Sequence, residues 1–383
     1  MQFELTNEQK MIQEAARDFA QKEIAPVAAE LDREEKFPAE IVKKLGELGF
    51  MGMTIPTEYG GGGMDTLSYV LAVEQVAKAC ASTAIIMSVN NSLVCYPLYE
   101  FGTEEQKKKY LPQLASGQKL GAFSLTEPNA GSDAGNQQTT AVLQGDNYVI
   151  NGTKIFVTGG NMADYIIMTA STDKSKGSRG VTAFIVDTKW PGFKVGSLEH
   201  KLGIRAASTA ELVLTDMKVP KENVLGTPGE GYKIALRALD GARVGVSAQA
   251  LGIAQAAFEV AVRYSKQRQQ FGKFISEFQA IQWMIADMAV SIEAARLLVY
   301  KSAFVKDTKK YFSKEAAMAK LFASEMASDV TSKAIQIHGG YGYTRDYPVE
   351  RNYRDARITQ IYEGTSEVQK LVIAATVLKE FAQ

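Results

Sequence analysis

The chain has two cysteines, two histidines, two tryptophans and ten prolines in 383 residues, and these scarcities exclude whole classes of chemistry. Cys80, Cys95, His200 and His338 lie scattered, with no ligand spacing of a zinc site or thiolate centre, so we expect no metal. Each cysteine falls in an apolar helical stretch, which suits buried thiols in a reducing compartment; the cytoplasm is the expected location. Charge of one sign is also missing: Lys and Arg number 43, Asp and Glu number 43, and the formal net charge is zero. That balance argues against nucleic acid or an anionic membrane as partner and in favour of a small ligand. No charged-then-apolar leader precedes Thr6 and Gln9, which have capping-box spacing, and no run of eighteen or so apolar residues stands out. Neither export nor membrane insertion is expected.

What is present is a hydrophobic content of 46%, enough for a large core, in three successive textures. Helical spacing of apolar residues marks the first region, as in Met11 to Phe19 and Ile41 to Phe50. Gly60 to Gly63 lack the lysine and strand-to-helix setting of a phosphate loop, so they read as a connection. Short β-rich runs follow: 148–150, 154–157, 165–168, 181–186 and 210–214. Asp146-Asn147, Asn151-Gly152 and Pro191-Gly192 supply turn signals between or beside them. After Gly229 come long alanine- and leucine-rich stretches, roughly 232–267, 277–305, 314–337 and 366–381, which fit a helical bundle. We divide the chain into a helical domain (1–118), a β domain (119–225) and a helical bundle (226–383), an α+β fold class.

Near the C-terminus, Ile361-Tyr362-Glu363-Gly364-Thr365-Ser366 places a lone carboxylate beside a glycine just before a helix start. Ser366 and Gln369 have capping-box spacing, and Gly364 gives the backbone freedom to turn. A glutamate shielded by Tyr362 and Ile361 would have its pKa raised toward the range useful for proton abstraction. On this segment alone a solvated loop glutamate is the simpler reading, because exposed glutamates are common.

Four other segments offer ligand-binding chemistry. Residues 123–135 concentrate hydroxyls and glycines in one loop, where Gly131 and Gly135 admit close backbone approach and Thr126 and Ser132 can hydrogen-bond a ligand. Phe156-Val157-Thr158 ends a strand with an aromatic that either packs on a flat cofactor or belongs to the core. Arg268-Gln269-Gln270-Phe271-Gly272 interrupts the helical region and offers a guanidinium for a phosphate. Gln336 to Tyr343 closes a long helix with glycines, and His338 there reads as a packed or cofactor-edge residue rather than a catalyst.

In order and context these segments resemble the acyl-CoA dehydrogenase family over essentially the whole chain. The specific strings are FSLTEPNAGSDAG from Phe123, FVT from Phe156, LDGARVG from Leu239, RQQFGK from Arg268, QIHGGYGY from Gln336 and RDARITQIYEGTSEVQ from Arg354. Residues 88–93 and 247–254 look most like the short-chain, butyryl-CoA type. The resemblance implies an N-terminal helical domain, a middle β-sheet domain and a C-terminal four-helix bundle, with FAD held around its ring by Phe123, Leu125, Thr126, Gly131, Ser132, Phe156, Val157 and Thr158. Arg268, Phe271, Gln279, Gln336, Gly339 and Gly340 would reach the adenine and pyrophosphate end from a neighbouring subunit, and Thr365 and Glu367 would also contact FAD. Substrate would meet Ser132, Asp240, Arg243, Tyr362 and Gly364, and Glu363 matches the catalytic base.

By the same resemblance, Glu363 takes the α-proton of an acyl-CoA while the β-hydride passes to flavin N5. The Glu363 amide and a ribityl hydroxyl polarise the thioester. The product is a trans-2-enoyl-CoA, the electron partner is electron-transferring flavoprotein, and the assembly is a homotetramer. Some relatives carry the base where this chain has Ala242, so Ala242 with Glu363 points to the usual arrangement. Phe156 and Gly159 stand where many relatives have tryptophan and asparagine. Branched or cyclic acyl-CoA substrates are the near alternative. Glutaryl-CoA is disfavoured because 88–93 carries no arginine, while an oxidase and a non-catalytic binding protein that keeps the fold are the more distant readings.

Overall fold

The computed structural model describes residues 4–382. Seven helices come first: α1 (Asn7–Phe19), α2 (Ala28–Glu34), α3 (Ala39–Glu47), α4 (Thr66–Ala79), α5 (Ala81–Val89), α6 (Tyr96–Phe101) and α7 (Glu104–Ala115). Thr6 and Gln9 form the expected capping box on α1, and Thr103 with Gln106 repeats the device on α7. Between α5 and α6 the chain runs on as a buried π-helical segment, Asn90–Cys95. Its two asparagines satisfy buried backbone from several elements. Asn90 donates to the carbonyls of Met51 (2.8 Å) and Leu114 (2.9 Å) and accepts from the Gly121 amide (3.0 Å). Asn91 serves Phe50, Met53 and Met87 in the same way.

The sheet comprises β1 (Gly121–Ser124), β2 (Thr140–Gln144), β3 (Asn147–Thr158), β4 (Tyr165–Ser171), β5 (Val181–Asp187), β6 (Phe193–Leu198), β7 (Thr209–Pro220) and β8 (Val224–Leu225). Its order is β6-β7-β3-β2-β4-β5-β8, with β1 pairing parallel to β4 and the long ladders antiparallel. Asn151-Gly152, expected as a turn, instead lies inside the continuous strand β3. The register against β7 shifts there, and a Cβ on Gly152 would come 2.4 Å from Thr139 Oγ1. The glycine therefore permits a bulge and a close approach rather than a reversal.

The C-terminal region holds α8 (Gly231–Ser265), α9 (Gln279–Thr308), α10 (Ser313–His338), α11 (Val349–Ile358) and α12 (Ser366–Glu380), with a short hairpin of β9 (Gln269–Gln270) and β10 (Lys273–Phe274) between α8 and α9. Helix α8 corrects the sequence reading on apolar length: it carries an eighteen-residue window of mean hydropathy 1.2, long and apolar enough to cross a membrane. That window is 78% buried within the protein, because α8 is the helix against which α4, α5 and α10 pack. One large apolar core joins the helices to the sheet's inner face, and a second fills the sheet itself.

Candidate active site

Glu363 lies on the turn between α11 and α12, closed by the Ser366 amide donating to the Gln360 carbonyl (3.0 Å). Its backbone is left-handed, with φ 55°, and Gly364 follows at φ 93°. The cap of α12 differs from the expected one. Thr365 is the N-cap and accepts from the Val368 amide (3.3 Å), while the Ser366 hydroxyl is buried without a partner. Gln369, freed from the capping role, turns back and donates to the carbonyls of Gly364 (2.9 Å) and Glu363 (3.3 Å).

Two more helices reach this turn. Arg243 of α8 donates through Nε to the Glu363 carbonyl (3.1 Å) and through Nη1 to Asp240 Oδ1 (2.7 Å). Asp240 also accepts from the Ser313 hydroxyl at the start of α10. Lys320 of α10, fully buried, donates to the Gly364 carbonyl (2.7 Å). The neighbouring Tyr362 hydroxyl donates to Gln249, whose amide donates to the Ala81 carbonyl (2.8 Å). Beside them Tyr69 and Ser88 share a hydrogen bond of 2.8 Å.

The Glu363 carboxylate thus sits in a tight frame, and its Oε2 is enclosed with no hydrogen-bond partner. Burial lifts its pKa from 4.5 to about 7 against the opposing pull of Arg243 and Lys320. A half-buried carboxyl with a free oxygen and that ionisation range is equipped to accept a proton near neutral pH.

The loop after β1 is anchored from beneath by a buried ion pair that the sequence did not reveal. Lys154 of β3 contacts Glu127 Oε1 at 2.8 Å and donates to the Leu125 carbonyl at 3.0 Å. Glu127 in turn accepts from the Gln138 (2.5 Å) and Thr139 (3.1 Å) amides. Leu125 is buried, Phe123 and Thr126 are half-buried, and Gly131 and Ser132 are exposed. On β3, Val157 is buried and Thr158 half-buried, but Phe156 is 60% exposed at φ 57°, on the stretch where the register against β7 shifts again. Its ring faces outward rather than into the core.

A second cluster forms at the other end of α8. Arg268 lies over the Tyr341 ring at 5.8 Å, and Tyr264 stacks on His338 at 4.2 Å, so the β9–β10 hairpin and the end of α10 lie together. Phe271 is 93% exposed at φ 51° and meets Phe278 edge-on, immediately before Gln279. His338 is packed, and burial lowers its pKa. Gln336 lies in the last turn of α10, and a Cβ at Gly339 or Gly340 would meet nothing within 4 Å. No hydrogen bond or ring contact among the described residues joins this cluster to the sheet loops. Thr365 is occupied as the cap, and Glu367 is exposed in the first turn of α12. A separate cleft of about 500 Å³ opens between α1, α2, the end of α8 and residues 345–352, and it contains none of these side chains. No group of three or more metal-ligating side chains occurs among the described residues.

Models of the acyl-CoA dehydrogenase N-terminal, middle and C-terminal domains match residues 6–118, 122–217 and 229–378. The chain belongs to the acyl-CoA dehydrogenase family. It is 55% identical to the short-chain specific acyl-CoA dehydrogenase of Clostridium acetobutylicum, over 99% of this chain and 100% of that one. The butyryl-CoA dehydrogenase structure from Megasphaera elsdenii superposes with a TM-score of 0.97 at 52% identity, covering 99% of this chain and all of that one. A chain in a solved structure of the electron transferring flavoprotein of Acidaminococcus fermentans superposes with a TM-score of 0.98 at 54% identity, again over 99% and 100%. Acyl-CoA dehydrogenases are flavin oxidoreductases acting on the CH–CH bond of acyl-CoA, and this chain carries the family's three domains. Lys154, Glu127, Lys320 and Gln249, which help to build the candidate site, were not singled out from the sequence, and Gln369 was assigned there only to a helix cap. The one signal for two of them was a lysine inside an otherwise apolar or alanine-rich run, Lys154 in Lys154-Ile155-Phe156-Val157 and Lys320 in Ala316-Ala317-Met318-Ala319-Lys320.

Proposed function

We propose that this protein oxidises a short-chain acyl-CoA to the trans-2-enoyl-CoA, with Glu363 as base, FAD as cofactor and electron-transferring flavoprotein as acceptor. The observation that carries the reading is the enclosed, partnerless Glu363 Oε2 on a left-handed turn held by three helices.

The residues present fit FAD. An outward-facing aromatic, Phe156, stands near a hydroxyl- and glycine-rich loop where a Cβ at Gly131 would meet nothing within 4 Å. That combination suits the face and edge of a flat heteroaromatic ring. Arg268, exposed and without an ion pair among the described residues, lies beside the uncrowded backbone of Gly339 and Gly340, which leaves room for a pyrophosphate against its guanidinium. Bound FAD would supply the hydride acceptor.

The protein's own part is to lower the barrier to losing a weakly acidic proton. Glu363 Oε2 accepts the α-proton, and desolvation makes the carboxylate a stronger base than one in water. The Glu363 carbonyl is taken by Arg243 and Gln369, so the turn is rigid and its amide can face the thioester oxygen as a fixed donor. Two hydrogen-bonded pairs, Tyr362 with Gln249 and Tyr69 with Ser88, lie close to the base, and bulky side chains so placed favour a pocket for a short acyl chain over a long one. One methylene in such a pocket is worth only about 1–3 kcal/mol, so branched four- and five-carbon thioesters are the comparison that matters.

The test is anaerobic mixing of the yellow holoenzyme with butyryl-, hexanoyl-, isobutyryl-, 2-methylbutyryl- and glutaryl-CoA, following visible flavin absorbance. Fast bleaching by butyryl-CoA is expected, and its loss in Glu363→Gln with FAD and acyl-CoA still bound. Rapid bleaching by that variant would remove Glu363 as the base.

A further inference from the structure

Lys320 is fully buried, yet among the described residues its ammonium makes one hydrogen bond, to the Gly364 carbonyl. Among the described residues no carboxylate lies within 4.0 Å of its ammonium. An ammonium has three protons to donate, and burying one without a counter-ion is unfavourable; here burial pulls its pKa down to about 8. A methionine would occupy the same volume without that cost, so the charge needs a reason.

The charged groups facing Lys320 are Glu363, Arg243, Glu367 and Glu325. Glu325 is paired with Lys370 at 3.7 Å. Glu367 is exposed, its carboxyl held low by its own backbone amide and Thr365. Arg243 is engaged by Asp240 at 2.7 Å, which offsets its field. Glu363 remains, and the two cations that act on it are Arg243 and Lys320.

We propose that Lys320 is a positioning residue for the base: its ammonium clamps the Gly364 carbonyl to hold the left-handed Glu363–Gly364 turn, and its charge keeps the Glu363 carboxylate in the proton-accepting form. The proposal rests on Glu363 as the base. Arg243 and Gln369 share the mechanical task from the other two helices, so the property peculiar to Lys320 is a positive charge with no buried acid of its own.

The experiment compares Lys320→Gln, Lys320→Met and Lys320→Arg as holoenzymes. Ionisation of Glu363 is read without substrate from the carboxyl infrared band present in the unmodified enzyme and absent from Glu363→Gln. Its midpoint is expected to rise by about one unit in the Gln and Met variants, with about a fivefold slower flavin reduction by butyryl-CoA at pH 7. Both should return toward the original values in Lys320→Arg. An unmoved midpoint in a neutral variant that keeps its flavin and melting temperature overturns the proposal. If neither neutral variant folds, Lys320→Arg decides alone, and a raised midpoint there overturns it. Failure of every acyl-CoA to bleach the unmodified enzyme sinks the functional reading while the infrared midpoint still tests Lys320. Normal bleaching with neutral variants equal in rate and midpoint sinks only Lys320.

Discussion

At the scale of the residue, Glu363 trades stability for a usable proton affinity. Burial raises its pKa from 4.5 to about 7, so below 4.5 both the folded and the unfolded chain carry the proton and burial is unopposed. As pH rises through 7 the folded chain must hold a buried charge, and the stability present at low pH is lost. Glu363→Gln removes that loss. Its melting temperature relative to the unmodified protein should therefore climb between pH 5 and 8, by the equivalent of roughly 1–3 kcal/mol, and level off above. A difference independent of pH would show that the carboxyl is not shifted. The neighbouring Gly364 supports a second expectation: with φ 93° and a Cβ position 2.7 Å from Gln369 Nε2, Gly364→Ala should displace Gln369 and slow flavin reduction more than it weakens acyl-CoA binding. Of this site, the turn at Gly364 and the projection of Glu363 were legible in adjacent residues. The cap was misplaced by one position, because Thr365 and Ser366 are neighbouring hydroxyls and spacing alone cannot choose between them. Lys320 was illegible because its contact spans 44 residues of chain.

Among the elements, α8 controls how closely the helices around the base approach. A Cβ on Gly245 would stand 2.3 Å from both Ser88 Oγ and Tyr69 Oη, whose mutual hydrogen bond leaves neither free to move. One turn-pair later, a Cβ on Gly252 would stand 2.4 Å from the Glu74 carbonyl. These two glycines form the seam against α4 and α5, and Gly245→Ala should cost about 1–3 kcal/mol by overpacking. Gly241→Ala is the control, since a Cβ there meets Tyr96 at an ordinary 3.5 Å. Equal melting temperatures for the two variants would mean that the seam relaxes freely. The long helices were legible because their apolar periodicity is sustained over many turns. Helix α11 was missed as an element: its run from Val349 to Ile358 is short and half charged, and what fixes it is tertiary, with Arg354 held by Asp32 (2.7 Å) and Glu350 (2.7 Å). Strands β2, β6 and β8 escaped for the same reason, being short, and β6 largely exposed.

At the scale of the whole molecule, a chain of zero net charge carries an uncovered apolar stripe along α9. Trp283, Val290, Leu297 and Phe304 recur every seven residues and are 61%, 70%, 48% and 63% exposed, while Met288, Ile292, Ala295 and Val299 face the core. Seven-residue spacing keeps the stripe on one face, the pattern that seats a helix against another helix. The occupant we infer is the same surface on a second copy of this chain, as a closed symmetric assembly requires of a self-complementary patch. The functional reading calls for such an assembly, because Arg268, Phe271 and Gln279 lie at the α9 end of the molecule, apart from Phe156 and Glu363. A double change, Val290→Lys with Leu297→Glu, places charges in the stripe without touching the core face. Sedimentation should then show a smaller species than the unmodified protein, with melting of the subunit itself little changed. If subunits share the cofactor across contacts that depend on this stripe, the smaller species should also lose flavin on dilution, and added FAD should restore it only partly. An unchanged sedimentation coefficient would assign the stripe to solvent and leave the shared site to be built from some other face.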